Sequence, residues 1–328
     1  MFLPDARDGS IYAALSLGHF GPKLHRGSAD GKTWQECAVP AYPIESAATA
    51  DPTKPAAALE LIWSLEAAGP DPGSLWAGTI PGGLFRSDDA GKTWQLNTPL
   101  WNQPKRKEWM GGGMDRPGIH SICVDPRDHN HVAVGVSCGG VWDTPDAGQT
   151  WVCKATGMRA AYMPPDRQYD PHIQDPHRVV QSPTDPRVMW AQHHNGIFHT
   201  TTGGDAWHEV FVEPSSFGFA VAVHPTQPQT AWFVPALSDE KRVPAEGRIV
   251  VTRTHDGGKS FQILDRGLPQ ANAYHIVFRH ALDVDNSGQL LAFGSTTGSL
   301  WTSDDSGENW QCVSADLPPI YCVRFAPG

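Results

Sequence analysis

The 328-residue chain has no apolar run long enough to cross a bilayer, and Met-Phe-Leu-Pro-Asp-Ala-Arg-Asp at its start holds no apolar core of signal-peptide length. A cytoplasmic protein with no membrane partner is therefore expected. Basic residues are also in short supply. With a formal net charge of −10, nucleic acid is not an expected partner either. The six cysteines show no C-x-x-C spacing. Cys37, Cys153 and Cys312 each follow an aromatic by two or three residues, and Cys123 and Cys322 fall in apolar strand-like segments. Reduced cysteines serving as small hydrophobes are expected.

Glycine (33), proline (29) and tryptophan (13) are plentiful, as suits a turn-rich all-β protein. One turn recurs six times. A short apolar strand runs into Ser/Thr-x-Asp-x-Gly-x-Thr/Ser-aromatic, most clearly over Ser87 to Trp94 (SDDAGKTW). Thr144 to Trp151, Thr254 to Phe261 and Ser303 to Trp310 follow the pattern, with Asn309 in place of the second hydroxyl residue. In Gly27 to Trp34 the aspartate is displaced by one position, and Thr200 to Trp207 lacks it. The closing aromatics at 34, 94, 151, 207, 261 and 310 are 60, 57, 56, 54 and 49 residues apart, a period that marks a repeat architecture. An aspartate such as Asp89 can accept backbone N–H groups inside the turn, and Gly91 supplies a backbone angle that other residues resist. The boxes are thus structural staples rather than candidate active-site groups.

The boxes resemble the Asp-box, or bacterial neuraminidase, repeats of sialidase-like β-propellers. The resemblance covers essentially the whole chain and implies a propeller. It does not by itself imply sialidase activity, because a fold of this kind hosts several functions. Sialidases of the fold carry an Arg-Ile-Pro motif before the first box, an arginine triad, a Tyr–Glu nucleophile pair and an Asp acid/base. Here the first repeat reads Gly21-Pro22-Lys23-Leu24-His25-Arg26, without that motif.

Strand and turn signals within each repeat give four strands. In the third repeat they are Ile119 to Val124, His131 to Val136, Val141 to Thr144 and Trp151 to Lys154. First strands elsewhere are read at Leu61 to Leu65, His177 to Gln181, Phe219 to Val223 and His275 to Arg279. The N-terminal repeat begins with its second strand, Ile11 to Leu17, whereas the chain ends in an unpaired first strand, Tyr321 to Pro327. The expectation is a single all-β domain over residues 1–328: a six-bladed propeller with Asp-box hairpins, closed by the C-terminal strand pairing with Ile11 to Leu17.

The box hairpins lie at one face, so chemistry belongs at the other, where first strands begin and second strands turn back. Aligned first strands place Tyr321, Leu61, His120, His177, Phe219 and His275 around the mouth of the central channel. His19 and His194 lie in the neighbouring bends. Converging imidazoles with open positions suit a divalent transition metal (zinc, manganese, iron or copper), with His120, His177 and His275 as ligands, His194 as a fourth and His19 as a weaker candidate. Asp170 or Asp175 would hydrogen-bond the free ring nitrogens. The alternatives are that these histidines bind substrate directly, or only tie carbonyls at the mouth.

Two long loops, 96–118 and 154–176, lead into His120 and His177, and loops of that length in a compact domain are usually functional. They supply Trp101 and Trp109 with Arg116, Arg159 and Arg167 as substrate-binding candidates, and Glu108, Asp115, Tyr169 and Asp170 as candidate acid/base groups. The leading expectation is a metal-assisted hydrolase or lyase for a small polar or anionic substrate of the sugar-acid or aromatic-acid type. The alternatives are a metal-free, glycosidase- or sialidase-like hydrolase using two of Glu108, Asp115 and Asp170, and a non-catalytic binding or assembly scaffold.

Overall fold

The computed structural model describes residues 1–43 and 57–326. Within them the chain forms six four-stranded antiparallel sheets, each made of four consecutive strands. They are the six blades of a β-propeller, with almost no helix. Blade 4 shows the pattern: Pro176–Gln181 innermost, then Met189–His193, Gly196–Thr200 and His208–Val210 outermost. Its register pairs Val179 with Ala191, Ala191 with Phe198 and Phe198 with Glu209. Every residue of its two middle strands is buried, as expected of a sheet packed on both faces.

Apolar seams fasten each blade to the next. Leu24 and Phe85 help fill the seam between blades 1 and 2, and Trp76 and Val134 the next. Val141 and Phe198 join blades 3 and 4, Trp190 and Phe233 blades 4 and 5, and Trp232 and Phe293 blades 5 and 6. Full burial of each such side chain contributes roughly 1.5–3 kcal/mol. Among the described residues no apolar cluster of this kind joins blades 6 and 1.

The recurrent turn is a carboxylate staple. Asp89 accepts the Thr93 backbone N–H at 2.8 Å and the Thr93 hydroxyl at 2.7 Å, while Ser87 Oγ accepts the Gly91 N–H at 2.9 Å. Asp146, Asp256 and Asp305 repeat the arrangement, with Asn309 Nδ2 replacing the hydroxyl donor on Asp305 at 2.6 Å. In blade 4, where the aspartate is missing, the Thr202 hydroxyl accepts the Ala206 N–H at 3.0 Å. Three of the closing tryptophans reach back to the preceding blade. The indole N–H groups of Trp94, Trp151 and Trp207 donate to Ala38 O, Asn97 Oδ1 and Lys154 O.

Two expectations for the ring's ends are corrected. Blade 1 has its own innermost strand, Phe2–Pro4, pairing Phe2 with Ala13 and Pro4 with Ile11. Its brevity and its proline hid it in the sequence. Ile11–Ser16 is therefore already paired on both sides, and Tyr321 to Pro327 does not add to it. Of that segment, Pro327 lies outside the described residues. The tail runs along the channel wall instead. Cys322 bridges in parallel to His280, Val323 N–H donates to His280 O at 2.8 Å, and Phe325 N–H donates to Asp283 Oδ2 at 2.8 Å. Arg324 is ion-paired with Glu66 of blade 2. The other correction concerns blade 6, whose innermost strand is Leu282–Val284 rather than His275 to Arg279. The earlier residues approach the mouth without ladder pairing.

Histidines line the channel wall. His280 Nε2–H donates to His120 O at 2.7 Å, and His120 Nδ1 lies 2.9 Å from Ser121 Oγ. Burial pushes both imidazoles well below their ordinary pKa, and guanidiniums add to this, Arg279 and Arg178 at His120 and Arg178 and Arg324 at His280. Burial likewise brings His199, stacked 4.0 Å from Trp190, down to about 4.

Two outcomes follow from this architecture. Arg324→Ala strands Glu66 beside the channel and is expected to destabilise the ring by about 3 kcal/mol. Lys23→Ala, which breaks the exposed pair with Glu36, should cost about 0.5 kcal/mol or less. Urea denaturation of the two variants checks both, and equal midpoints would contradict the closing role of the tail. The histidines set a pH dependence. A group whose folded pKa lies below its unfolded value favours folding above the unfolded value, near pH 6.5. Its contribution falls as pH drops, by about 1.4 kcal/mol per pH unit for each such group. Stability should therefore fall between pH 6.5 and 5, and His199→Gln should flatten that fall. A urea midpoint that is level over this window would contradict it.

Candidate functional site

The face opposite the stapled hairpins carries the channel mouth, where the innermost strands begin and the second strands turn back. Two features of blade 4 shape it. The loop before Pro176 delivers Asp175, and the bend after Met189–His193 delivers His194, whose N–H donates to Asp175 O at 3.0 Å. His177, the second residue of the innermost strand, points its ring into the same space, stacked 4.6 Å from Phe219. The donor atoms of Asp175, His177 and His194 all lie within 4.8 Å of one another. Asp175 Oδ2 is 3.5 Å from His194 Nδ1 and 3.8 Å from His177 Nε2, and Asp175 Oδ1 accepts the Cys138 N–H at 3.2 Å.

The electrostatics follow from burial and from this carboxylate. Burial would raise the Asp175 carboxyl, but the hydrogen bond from His194 and the fields of His177, His193 and Arg279 outweigh it and hold the group well below the usual range. Asp175 in turn raises His194 above its ordinary value. His177 is pushed down to about 4 and His193 to about 3, both by burial. Across a small cavity of about 50 Å³, Arg279 faces the same carboxylate. Its guanidinium lies 4.8 Å from the Trp63 ring and 5.4 Å from Phe219, and its Nε has no hydrogen-bond partner among the described residues. Burial lowers it to about 10.

Of the histidines expected to converge, the structure brings only His177 and His194 together. His120 is tied to Ser121 and set edge-on to Trp63 at 5.5 Å. His275 lies 2.6 Å from Thr297 Oγ1 and packs on Trp301, because blade 6 enters its ladder later than expected. His19 sits exposed in the Gly18–Phe20 turn of blade 1, against Phe20. Asp175, expected only as a hydrogen-bonding neighbour of the rings, stands among the ligand-type atoms. Arg279 and Trp63 were not singled out. Their signal lay in the spacing of Leu61–Ala67 and in the irregular stretch before Leu282.

The long loops meet beside the mouth. Asp170 caps the Pro171–Ile173 turn by accepting the His172 N–H at 3.0 Å. Arg167 Nη2 lies 3.1 Å from Asp170 Oδ2 and 3.4 Å from Glu108 Oε2, gathering two of the candidate carboxylates around one nitrogen. Burial would raise the Asp170 carboxyl, but the His172 N–H and Arg167 outweigh it and lower it. Asp115 and Tyr169 are exposed, Tyr169 at 62%. Arg106 covers Trp101 at 3.2 Å, and Trp109 is buried against Trp142. The expected anion clamp does not assemble. Arg116 is paired with Glu60, Arg159 with Glu209, and Arg167 with the two loop carboxylates.

No family model matches the chain. Over 150 residues it is 26% identical to the xyloglucanase Xgh74A of Acetivibrio thermocellus, a stretch covering 40% of this chain and 16% of that protein. Over 78 residues it is 35% identical to an oligoxyloglucan-reducing end-specific xyloglucanase of Emericella nidulans, covering 24% of this chain and 8% of that one. The chain thus spans under a fifth of the length of these curated relatives. Among solved structures, an ancestral GH74 enzyme superposes with a TM-score of 0.66 at 15% identity, over 95% of this chain and 38% of that one. YCF48 from Cyanidioschyzon merolae superposes with a TM-score of 0.60 at 15% identity, over 99% and 88%. The chain is a six-bladed β-propeller that resembles GH74 xyloglucanases, weakly in sequence and clearly in fold, and YCF48 in fold alone.

Proposed function

We propose that the chain is a glycosidase-type hydrolase acting on a largely uncharged polysaccharide of the xyloglucan kind, bound across the loop face beside the channel mouth. The observation that carries this reading is the pairing of Glu108 and Asp170 on Arg167. Both oxygens hydrogen-bond one nitrogen, at 3.4 and 3.1 Å, so they cannot stand further apart than those two distances end to end. Retaining glycosidases hold their carboxyl groups about 5–5.5 Å apart and inverting ones about 6.5–9.5 Å, so the retaining spacing lies within this bound and the inverting range begins at its edge. Asp170, held ionised by its donors, fits the nucleophile. Glu108, which also pairs with Lys105 at 2.7 Å, takes the acid/base role once a bound sugar chain displaces these cations.

Two further features support it. The three loop guanidiniums expected to clamp an anion are each neutralised by a carboxylate, which favours a neutral sugar chain over a sugar acid. Tyr169 offers an exposed ring with a polar tip on the same loop. The sequence likeness to xyloglucanases agrees. A metal-assisted hydrolase or lyase built on His120, His177 and His275 has less support, since those rings do not share a site.

The test is reducing-end release from xyloglucan and related β-glucans. Glu108→Gln and Asp170→Asn are each expected to lower turnover by about 100-fold or more, with chelator causing no loss. Asp30→Asn, on the far face, should leave turnover unchanged. Full activity in both carboxylate variants, or no hydrolysis by the wild-type protein, would overturn the reading. The second result would favour a binding module.

A further inference from the structure

Independently of the glycosidase reading, we propose that Asp175, His177 and His194 form a binding site for a divalent first-row transition ion at the channel mouth. Geometry comes first. Three ligand-type atoms from two adjacent chain segments lie within 4.8 Å of one another. Ligand bonds of about 2.0–2.2 Å to zinc require only modest inward movement of these side chains. Of the three, His194 is the least buried side chain, so it meets the least packing when it moves.

The second argument is the orientation of His177. Its Nδ1 lies 2.7 Å from Gly218 O. A carbonyl can only accept, so Nδ1 carries the proton and Nε2 presents its lone pair. That lone pair faces the Asp175 carboxylate at 3.8 Å. Two acceptors confronting one another inside a buried wall is an unfavourable arrangement that a cation between them resolves. Anchoring the far ring nitrogen on a backbone carbonyl is also how metal-binding imidazoles are commonly oriented.

The third is the space around the carboxylate. The Gly111-Gly112-Gly113 turn closes over Asp175, and a Cβ at Gly112 would lie 3.1 Å from Asp175 Oδ2 and 3.0 Å from Cys138 Sγ. The loop therefore shields the Asp175 side of the site, while half-buried His194 leaves the other side open.

Arg279 across the cavity opposes any cation. Binding must therefore come from directed bonds to imidazole rather than from a negative field. Two histidines and one carboxylate suit Zn²⁺, Co²⁺ or Fe²⁺ and disfavour Mg²⁺ and Ca²⁺. The ion would keep open positions towards the mouth.

The experiment uses the full chain, stripped with chelator and titrated with Zn²⁺ by calorimetry and with Co²⁺ by visible absorption. One equivalent of each should bind, with Mg²⁺ and Ca²⁺ failing to compete. His194→Ala should weaken Zn²⁺ binding by about tenfold or more and abolish the Co²⁺ bands. His177→Ala should do the same. Should that buried change unfold the protein, the partly exposed His194 carries the test alone. His19→Ala and His275→Ala, away from the cluster, should bind as the wild type does. Absence of Zn²⁺ and Co²⁺ binding by the wild type, or undiminished binding by His194→Ala, would overturn the proposal.

Discussion

A propeller is a ring, and the last blade has to be held against the first. Five of the six seams here are apolar and form from neighbours in sequence. Among the described residues no such cluster fills the sixth, between blades 6 and 1. The C-terminal tail lies along His280 and Asp283 of blade 6, while Arg324 crosses to Glu66 of blade 2. The tail thus ties blade 6 to blade 2 across the channel wall through an ion pair and a few backbone bonds. Arg324 and Glu66 also line the central cavity, with Arg178 and His280.

Much of this was legible in the sequence. The six boxes gave the number of blades, and runs such as Ile119 to Val124 and Phe219 to Val223 fell within the innermost strands found. What failed was the reading of the two ends. Phe2–Pro4 is too short to announce itself as a strand. The aligned position at His275 assumed that blade 6 begins its ladder where the others do, whereas its strand starts at Leu282. The same slip displaced the expected histidine triad. A sequence alignment can place residues at one height around a ring, but the direction of each side chain depends on local register. His120 turned to Ser121 and His275 to Thr297, while His177 turned inward. Asp175 could not be ranked above other loop carboxylates without the His194 bend folded beside it.

Charge on the loop face is organised by pairing. Each of Arg116, Arg159 and Arg167 meets a carboxylate, so these three guanidiniums are not free to clamp an anion. The mouth differs. Asp175, two imidazoles and Arg279 share one small buried space, where every charge is felt strongly because water is scarce. The two regions are adjacent on the chain, Asp170 and Asp175 being five residues apart, and still offer different chemistry: an exposed carboxylate pair and an enclosed nitrogen–oxygen cluster.

The closing tryptophans give the ring a direction. Trp94, Trp151 and Trp207 each hook backward onto the blade before, like slates laid in one sense around a roof. Trp34 does not, its indole bonding Gly31 O of its own turn while its ring stays 44% exposed. Disassembly therefore has a preferred starting edge. Blades 5 and 6 neither cast nor receive a hook of this kind, since blade 5 closes on Phe261 and Trp310 Nε1 has no partner among the described residues. Lifting away blade 1 or blade 4 breaks one hook, and lifting away blade 2 or 3 breaks two.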